Sequence, residues 1–546
     1  MPNGDSSPPL KERVRGWLGR YGVDVALCAF IVVLTVFVRW ATLDQVESGG
    51  DPLDNWFFVK QWGHTDGLFS GYLNHHNSRF GIHWITWLVQ RLFGTETVDY
   101  FIAPVFASTV CSVLIYVLGR QVSSRAVGLI AALMLLEFDG FEPASSQLRP
   151  GVFEAMYVLG ALCFLVHALE KDGRARDRAV AASAFMAFMA WLAKEPTAFF
   201  LPGMGLVYLF GGRRWRDALI FTLVFLFFVG LESLAYSVFT KYPHRVAVVM
   251  NAHGAGVPEP HDFWFLFTRF TKAGDGWRLV YYFFFAAGLS LLASTRPLKQ
   301  KALVVVTISF LFLTTFAIKS TNPIRLWMPM NDRYLTAAIP PALVANAIVI
   351  VEAALAGRRA LLAGLRSWSK ERWQLGDSWH HGLGIFALSV CVAVLAVKTW
   401  IVSAPNRARH PIAEARRMSA LISDAYARGL PIVGQVTRPP KRKGQGAQVR
   451  SLHWAVKGFV DEKLMLTPDG QLPPFSYVVS VGVLGKKARY VPLVPQLSEP
   501  IVLDMLKNDP ECVLVLKDVN NGPTVIPSND GWSMPEQCAP GGVARQ

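Results

Sequence analysis

The chain has 546 residues, 52% of them hydrophobic and 17% charged, with a mean hydropathy of +0.31 and a formal net charge of +15. Its apolar residues come in runs rather than alternating, which excludes a soluble globular protein and points to a multi-span membrane protein. The surplus Lys and Arg lie mostly in short segments between those runs, where orientation in a membrane explains them, so nucleic-acid binding is not indicated.

About 20 apolar residues cross a bilayer. Runs near that length lie at about 24–42, 99–119, 126–139, 152–169, 178–193, 196–211, 217–239, 278–295, 302–319, 334–356 and 383–402, which predicts about eleven transmembrane helices. The runs 126–139, 178–193 and 196–211 are short, and are expected to tilt little, to re-enter, or to merge into one broken element. Before the first run there is no short apolar core with a small-residue cleavage site, so that run reads as an uncleaved anchor.

Basic residues mark alternate connections: Lys11 to Arg20, Arg120 and Arg125, Lys171 to Arg178, Arg213 to Arg216, Arg296 to Lys301, and Arg358 to Arg372. The positive-inside rule makes these connections and the N-terminus cytoplasmic. The other connections then face outward, including the loop 44–98, Lys194-Glu195, and Lys319 to Arg333. With an odd span count, everything after the last span is outside too. Residues 1–403 form the membrane domain in this reading, and 404–546 a small extracytoplasmic α/β domain. That tail carries a helical stretch at 412–428 and apolar runs at 431–436, 477–483 and 512–516 that suit buried strands. Pro439 to Gly444 reads as a solvated basic turn, with contact to anionic headgroups as the alternative. Cys28, Cys111, Cys163 and Cys391 fall inside spans as small apolar fillers, whereas Cys512 and Cys538 lie in the tail and can pair if the compartment is oxidising.

The first outer loop holds the best candidates for chemistry. Asp51 follows two glycines and precedes Pro52, a pattern that suits a helix N-cap with Pro at the first helical position. Asp54 would lie in the first turn of that helix, followed by Trp56, Phe57, Phe58 and Trp62, rings suited to the headgroup zone. Either acid is a candidate general base, and capping is the competing role of Asp51. A second aromatic stretch, 80–89, is expected to lie along or dip into the interface. His64, His75, His76 and His83 are weak metal candidates, since no i, i+4 histidine pair appears.

Charges near spans weigh more than charges in loops, because hydrocarbon penalises each by at least about 2.5 kcal/mol. Arg39, Glu154, Lys194, Glu195, Glu232 and Arg333 all fall toward the outward ends of their spans. Snorkelling accounts for Arg39 and Arg333 singly, and a shared outward cavity accounts for the set.

The order of these features resembles that of the polytopic GT-C glycosyltransferases, the superfamily that holds the protein O-mannosyltransferases and the lipid A aminoarabinose transferases. The elements are Arg39 at the end of the first span, the acidic and aromatic first outer loop, Leu92-Phe93-Gly94 and Val117-Leu118-Gly119-Arg120. Leu192-Ala193-Lys194-Glu195-Pro196 and Asp332-Arg333-Tyr334-Leu335 with Pro340-Pro341 follow. The resemblance covers about residues 20–360, and its specific part is the order.

It implies transfer of a sugar from a polyprenyl phosphate to an acceptor (lipid, polysaccharide or protein) on the outer face of a bacterial inner membrane. A first-loop acid is then the base. The family's Asp-Glu-x-x-Tyr departs here to Asp54-Asn55-x-x-Phe58, while Asp51 keeps the preceding context, so the base assignment stays split between Asp54 and Asp51. Glu154 stands where many relatives place an Asp and is a third catalytic candidate. Arg39, Lys194, Glu232, Arg333 and Tyr334 are the candidates for substrate binding. No cofactor is required, and a divalent metal stays open. Intramembrane charges and broken helices also suit a transporter or flippase, and a tail domain suits an assembly scaffold, but no internal symmetry between halves supports the former.

Overall fold

The structure is a computed structural model. It describes residues 10–44, 51–61, 78–96, 99–138, 141, 145–211, 215–240, 242–253, 275–316, 318–321, 324–326, 334–368, 394, 396–401, 410–428, 432–436, 489–492, 514–519 and 522–526.

The apolar runs fold as helices: α1 (Leu10–Ala41), α2 (Asp51–Gln61), α3 (Phe80–Phe93), α4 (Ile102–Val122), α5 (Arg125–Glu137), α6 (Pro150–Leu169) and α7 (Gly173–Ala193). After a 3-10 turn, Glu195–Phe200, come α8 (Leu201–Leu206), a π-helical turn Val207–Gly211, α9 (Trp215–Phe239), α10 (Arg245–His253), α11 (Asp275–Leu291) and α12 (Leu298–Phe316). A short antiparallel pair, β1 (Ile318–Thr321) and β2 (Ile324–Leu326), precedes α13 (Ile339–Trp368).

Five stretches among the described residues are long and apolar enough to cross a membrane: Tyr21–Ala41, Asp99–Val122, Pro150–Leu169, Trp215–Phe239 and Thr336–Ala360. The chain is a multi-pass membrane protein. Of the three shorter runs, 126–139 and 196–211 are a short helix and a broken segment, whereas 178–193 lies inside a helix of 21 residues, about 32 Å long. α5 has 13 residues, about 20 Å of helix, less than a bilayer core of about 30 Å. The runs at 178–193 and 196–211 are α7 and a broken 3-10, α and π segment. The expected span 383–402 falls largely outside the described residues.

Helix α6 is the centre of the bundle, buried along nearly its whole length between α4 and α7. In contrast, α9 turns Leu223, Leu226, Phe227, Leu231, Leu234 and Phe239 outward, as a lipid-facing helix does. Cys28, Cys111 and Cys163 are free thiols packed inside helices, while Cys391, Cys512 and Cys538 lie outside the described residues.

The tail contributes α14 (Pro411–Ala427) and strands β3 (Ile432–Val436), β4 (Arg489–Pro492), β5 (Leu514–Val519) and β6 (Gly522–Ile526) in the order β4-β3-β5-β6. β3 and β5 run parallel and the other neighbours antiparallel, with α14 packed on the central pair. The expected strand at 477–483 and the basic turn 439–444 lie outside the described residues. His410, just before α14, meets the end of α1: its Nε2 is 3.2 Å from the Trp40 carbonyl and the two rings are 5.5 Å apart.

Candidate active site at the broken helix

Pro196 has no N–H to donate and its ring crowds the carbonyl four residues back, so the ladder of α7 cannot run through it. α7 ends at Ala193, Lys194 is extended (φ −162°, ψ 136°), and the 3-10 turn takes over at Glu195. The break leaves two adjacent charges inside the bundle.

Lys194 is 3% exposed, with Nζ 3.5 Å from Glu154 Oε2 and 4.9 Å from the centre of the Tyr334 ring. Glu154, one turn into α6, is fully buried, and its Oε1 accepts from Thr197 Oγ1 at 3.0 Å. Tyr334 reaches Lys194 because the segment leading into α13 sits hard against Gly151. A Cβ at Gly151 would lie 3.0 Å from the Thr336 side chain.

Glu195 faces the other way, into a second ionic set. Its Oε1 is 2.6 Å from Arg245 Nη1 and its Oε2 is 3.5 Å from Arg79 Nη2. Arg245, 1% exposed, also binds Glu232 Oε1 through Nε at 2.8 Å and donates from Nη2 to the Trp191 carbonyl at 2.5 Å. That carbonyl is one of those left open by the break, so Arg245 caps α7 where the helix dipole favours a cation. Trp191 closes the ring by donating Nε1–H to Glu232 Oε2 at 3.0 Å, with Arg245 over its face at 4.9 Å. Burial pushes the Glu195 carboxyl up, but the guanidinium groups of Arg79 and Arg245, aided by Lys194, outweigh it and hold the group at about 2.

The first outer loop is joined to this region through α3. Gly81 makes the crossing of α3 and α7 possible: a Cβ there would lie 2.5 Å from the Ala193 nitrogen. Tyr157 Oη donates to the Gly81 carbonyl at 2.9 Å. α2 then packs on α3. His83 Nε2 is 3.0 Å from Asn55 Oδ1, Asn55 Nδ2 donates to the Leu148 carbonyl at 3.2 Å, and Gln90 Nε2 donates to the Trp56 carbonyl at 3.0 Å.

Against the residues singled out from sequence, the structure brings Lys194, Glu154 and Tyr334 together, and joins Glu232 to Glu195 through Arg245. Arg39 is buried and donates to Ser108 Oγ at 3.2 Å and to the Leu135 carbonyl at 3.3 Å, tying α1 to α4 and α5. Asp51 opens α2 as its first residue, one position later than a cap, and Asp54 lies in the same first turn; their side chains lie outside the described residues. Arg333, His64, His75 and His76 lie outside them as well. Among the described residues no group of three His, Cys, Asp or Glu is arranged to hold a metal ion, and His83 faces Asn55.

Arg245, Thr197, Trp191 and Asn55 were not singled out from sequence, and Arg79 had been given no role. One signal existed for Arg79. It directly precedes a helix, where the dipole disfavours a cation, so a nearby acid was to be expected.

Residues 78–236 match the model of the dolichyl-phosphate-mannose-protein mannosyltransferase family. That stretch includes Arg79, Glu154, Lys194, Glu195 and Glu232, but neither α2 nor Tyr334. No curated protein sequence matches the chain. Among solved structures, apo ArnT from Cupriavidus metallidurans is 14% identical with a TM-score of 0.50, covering 89% of this chain and 100% of that one. ArnT bound to undecaprenyl phosphate gives 14% and 0.49 over 88% and 99%. The oligosaccharyltransferase of Archaeoglobus fulgidus gives 12% and 0.45, with 75% of this chain aligned to 58% of that one. At such identity the apo ArnT match shows a shared fold. By the order of its motifs, the family match over 78–236 and that shared fold, the chain is similar to the GT-C membrane glycosyltransferases.

Proposed function

We propose that the chain is a membrane glycosyltransferase that moves a sugar from a polyprenyl phosphate to an acceptor hydroxyl on the outer face, with inversion. The observation that carries this reading is a lysine buried at a break in the bundle, 3.5 Å from one carboxylate and beside a tyrosine ring. A sugar phosphate leaves with negative charge on oxygen, so a preorganised cation lowers the barrier by stabilising charge that develops in the transition state. An ammonium has three donors, so Lys194 can keep Glu154 and still bind an anion. Glu154 in this reading positions Lys194, and Arg333, next to Tyr334 in sequence, adds a second cation.

The acceptor oxygen attacks the anomeric carbon as the carbon–phosphate oxygen bond breaks. The electron pair leaves on the phosphate, and the acceptor proton passes to a carboxylate of α2. Attack opposite the leaving group inverts the centre and needs no carboxylate nucleophile. Asp54 is the proposed base, ahead of Asp51, which as the first residue of α2 has the competing role of offsetting the helix dipole. In this reading the N-terminus is in the cytoplasm and the tail outside, on the strength of the alternating basic connections. Labelling of engineered cysteines in the 358–372 loop and in the tail by an impermeant reagent tests that orientation.

The test of the reaction uses purified protein in detergent with undecaprenyl-phosphate-linked mannose and aminoarabinose, with products read by mass. The reading expects release of undecaprenyl phosphate, and a rate about 100-fold to 10,000-fold lower in Asp54→Asn at unchanged affinity for the lipid phosphate. Movement of the lipid phosphate across vesicles without cleavage would favour a flippase. If Asp51→Asn is inactive but folded while Asp54→Asn turns over normally, the two acids exchange roles.

A further inference from the structure

We propose that Asn55 and His83 are positioning residues that fix the first-loop helix for catalysis, an inference that rests on the reading of Asp54 as the base. Both are fully buried, and the imidazole lies among aromatic rings, 5.2 Å from Phe58 and 6.1 Å from Phe80. An apolar pair would join two helices just as firmly, but in many rotations and registers. A buried hydrogen bond has one productive geometry, and missing it strands a polar group away from water.

The direction of the bond follows from the second contact. Asn55 Nδ2 is committed to the Leu148 carbonyl, so Oδ1 is the atom that faces His83, and the imidazole donates from Nε2. Leu148 is itself pinned. Its N–H donates to Tyr100 Oη at 2.8 Å, and Tyr100 Oη donates to Gln147 Oε1 at 3.0 Å. Asn55 therefore ties α2 at once to α3 and to the segment that leads into α6.

Those two elements also hold the ionic region at the helix break. α6 carries Glu154, the partner of Lys194, and Arg79 at the start of α3 binds Glu195. Asp54 precedes Asn55 in the same helical turn, so whatever fixes the rotation of α2 fixes the point from which Asp54 acts. Together with the Gln90 bond to the Trp56 carbonyl, the Asn55 amide fixes α2, and with it the separation between the proposed base and the proposed phosphate cation. A misplacement of about 1 Å in such a constellation lowers a rate by about 100-fold without weakening binding.

The experiment compares Asn55→Leu, His83→Phe, His83→Gln and Asp54→Asn, measuring undecaprenyl phosphate release from the lipid-linked sugar that supports wild-type turnover, undecaprenyl phosphate affinity, and melting temperature. The expected result is a rate about 10- to 100-fold lower in Asn55→Leu and His83→Phe at unchanged affinity. His83→Gln, whose amide N–H reaches the same acceptor, should recover most of the rate. The double variant Asn55→Leu with His83→Phe should be no slower than the worse single one, because both break the same link. Asn55→Leu is nearly isosteric and keeps the test decisive if His83→Phe does not fold. Wild-type rates in Asn55→Leu and His83→Phe, with Asp54→Asn inactive, would overturn the positioning role and leave the base reading standing. Equal losses in His83→Phe and His83→Gln would overturn it too. Normal turnover by Asp54→Asn would remove the base reading and this inference with it.

Discussion

The two ends of the helical bundle use charge differently. At one end, Asp24 on α1 meets Arg120 and Arg125 at 3.0 and 2.8 Å and Tyr116 Oη at 2.7 Å. Arg216 meets Asp177, Lys299 meets Glu170, and Arg296 meets Glu352. Most of these pairs staple the ends of different helices while one partner stays in water; Arg125 is 46% exposed and Arg216 67%. Arg176 and Asp217 form the buried exception, joining the starts of α7 and α9. At the other end Lys194, Glu154 and Arg245 are 3%, 0% and 1% exposed. A wet pair contributes little and costs little, whereas each buried ion costs several kcal/mol to desolvate. Exposed pairs suffice to fasten helices, although buried Arg176 and Arg39 do so here as well. The charges kept dry beside the broken helix are the ones to which the proposed reaction assigns work.

The largest expected effect on stability is at Arg245. Arg245→Met takes the cation from Glu232, leaving it the Trp191 indole N–H, and removes one of the two guanidinium partners of Glu195, and should destabilise by about 3–5 kcal/mol. Adding Glu232→Gln removes one stranded carboxylate and should restore part of the loss in a thermal melt. If Arg245→Met melts like wild type, the two ends do not differ in the way described.

Next in size is the pH response of Glu195. Its carboxyl falls from an ordinary 4.5 to about 2 in the folded chain. The folded value is depressed, so the stabilisation is complete above about pH 4.5, where both states are ionised, and is lost as the pH falls toward 2. At full extent it is on the order of 3 kcal/mol. Melting temperature should therefore drop between pH 5 and 2 more steeply in wild type than in Glu195→Gln, and parallel curves would contradict the assignment. The smallest effect belongs to Arg125→Gln at the wet end, which should lower the melting temperature slightly and leave affinity for undecaprenyl phosphate as it is.

Much of the helical plan was legible because a bilayer imposes a length. The runs at 152–169 and 217–239 end within two residues of Pro150–Leu169 and Trp215–Phe239. The break at Lys194 was legible because Pro196 forbids a helix through it. The tail helix and two of its strands followed from periodicity, at Pro411–Ala427, Ile432–Val436 and Leu514–Val519.

The partners were not legible. Arg245 meets Glu195 from 50 residues away, and Asn55 reaches Leu148 across 93, so no local spacing announces either. Arg39 makes the same point: its place at the end of a span was visible, but its hydrogen bonds to Ser108 on α4 and the Leu135 carbonyl on α5, 69 and 96 residues away, were not.

The central claim is that the buried cation at the break receives the donor phosphate, and the most direct measurement is undecaprenyl phosphate affinity in Lys194→Gln beside Arg125→Gln, on folded protein in detergent. The account predicts at least about a tenfold loss for Lys194→Gln and none for Arg125→Gln. Equal affinity in both variants and wild type would contradict it, leaving Lys194 as the partner of Glu154 and nothing more.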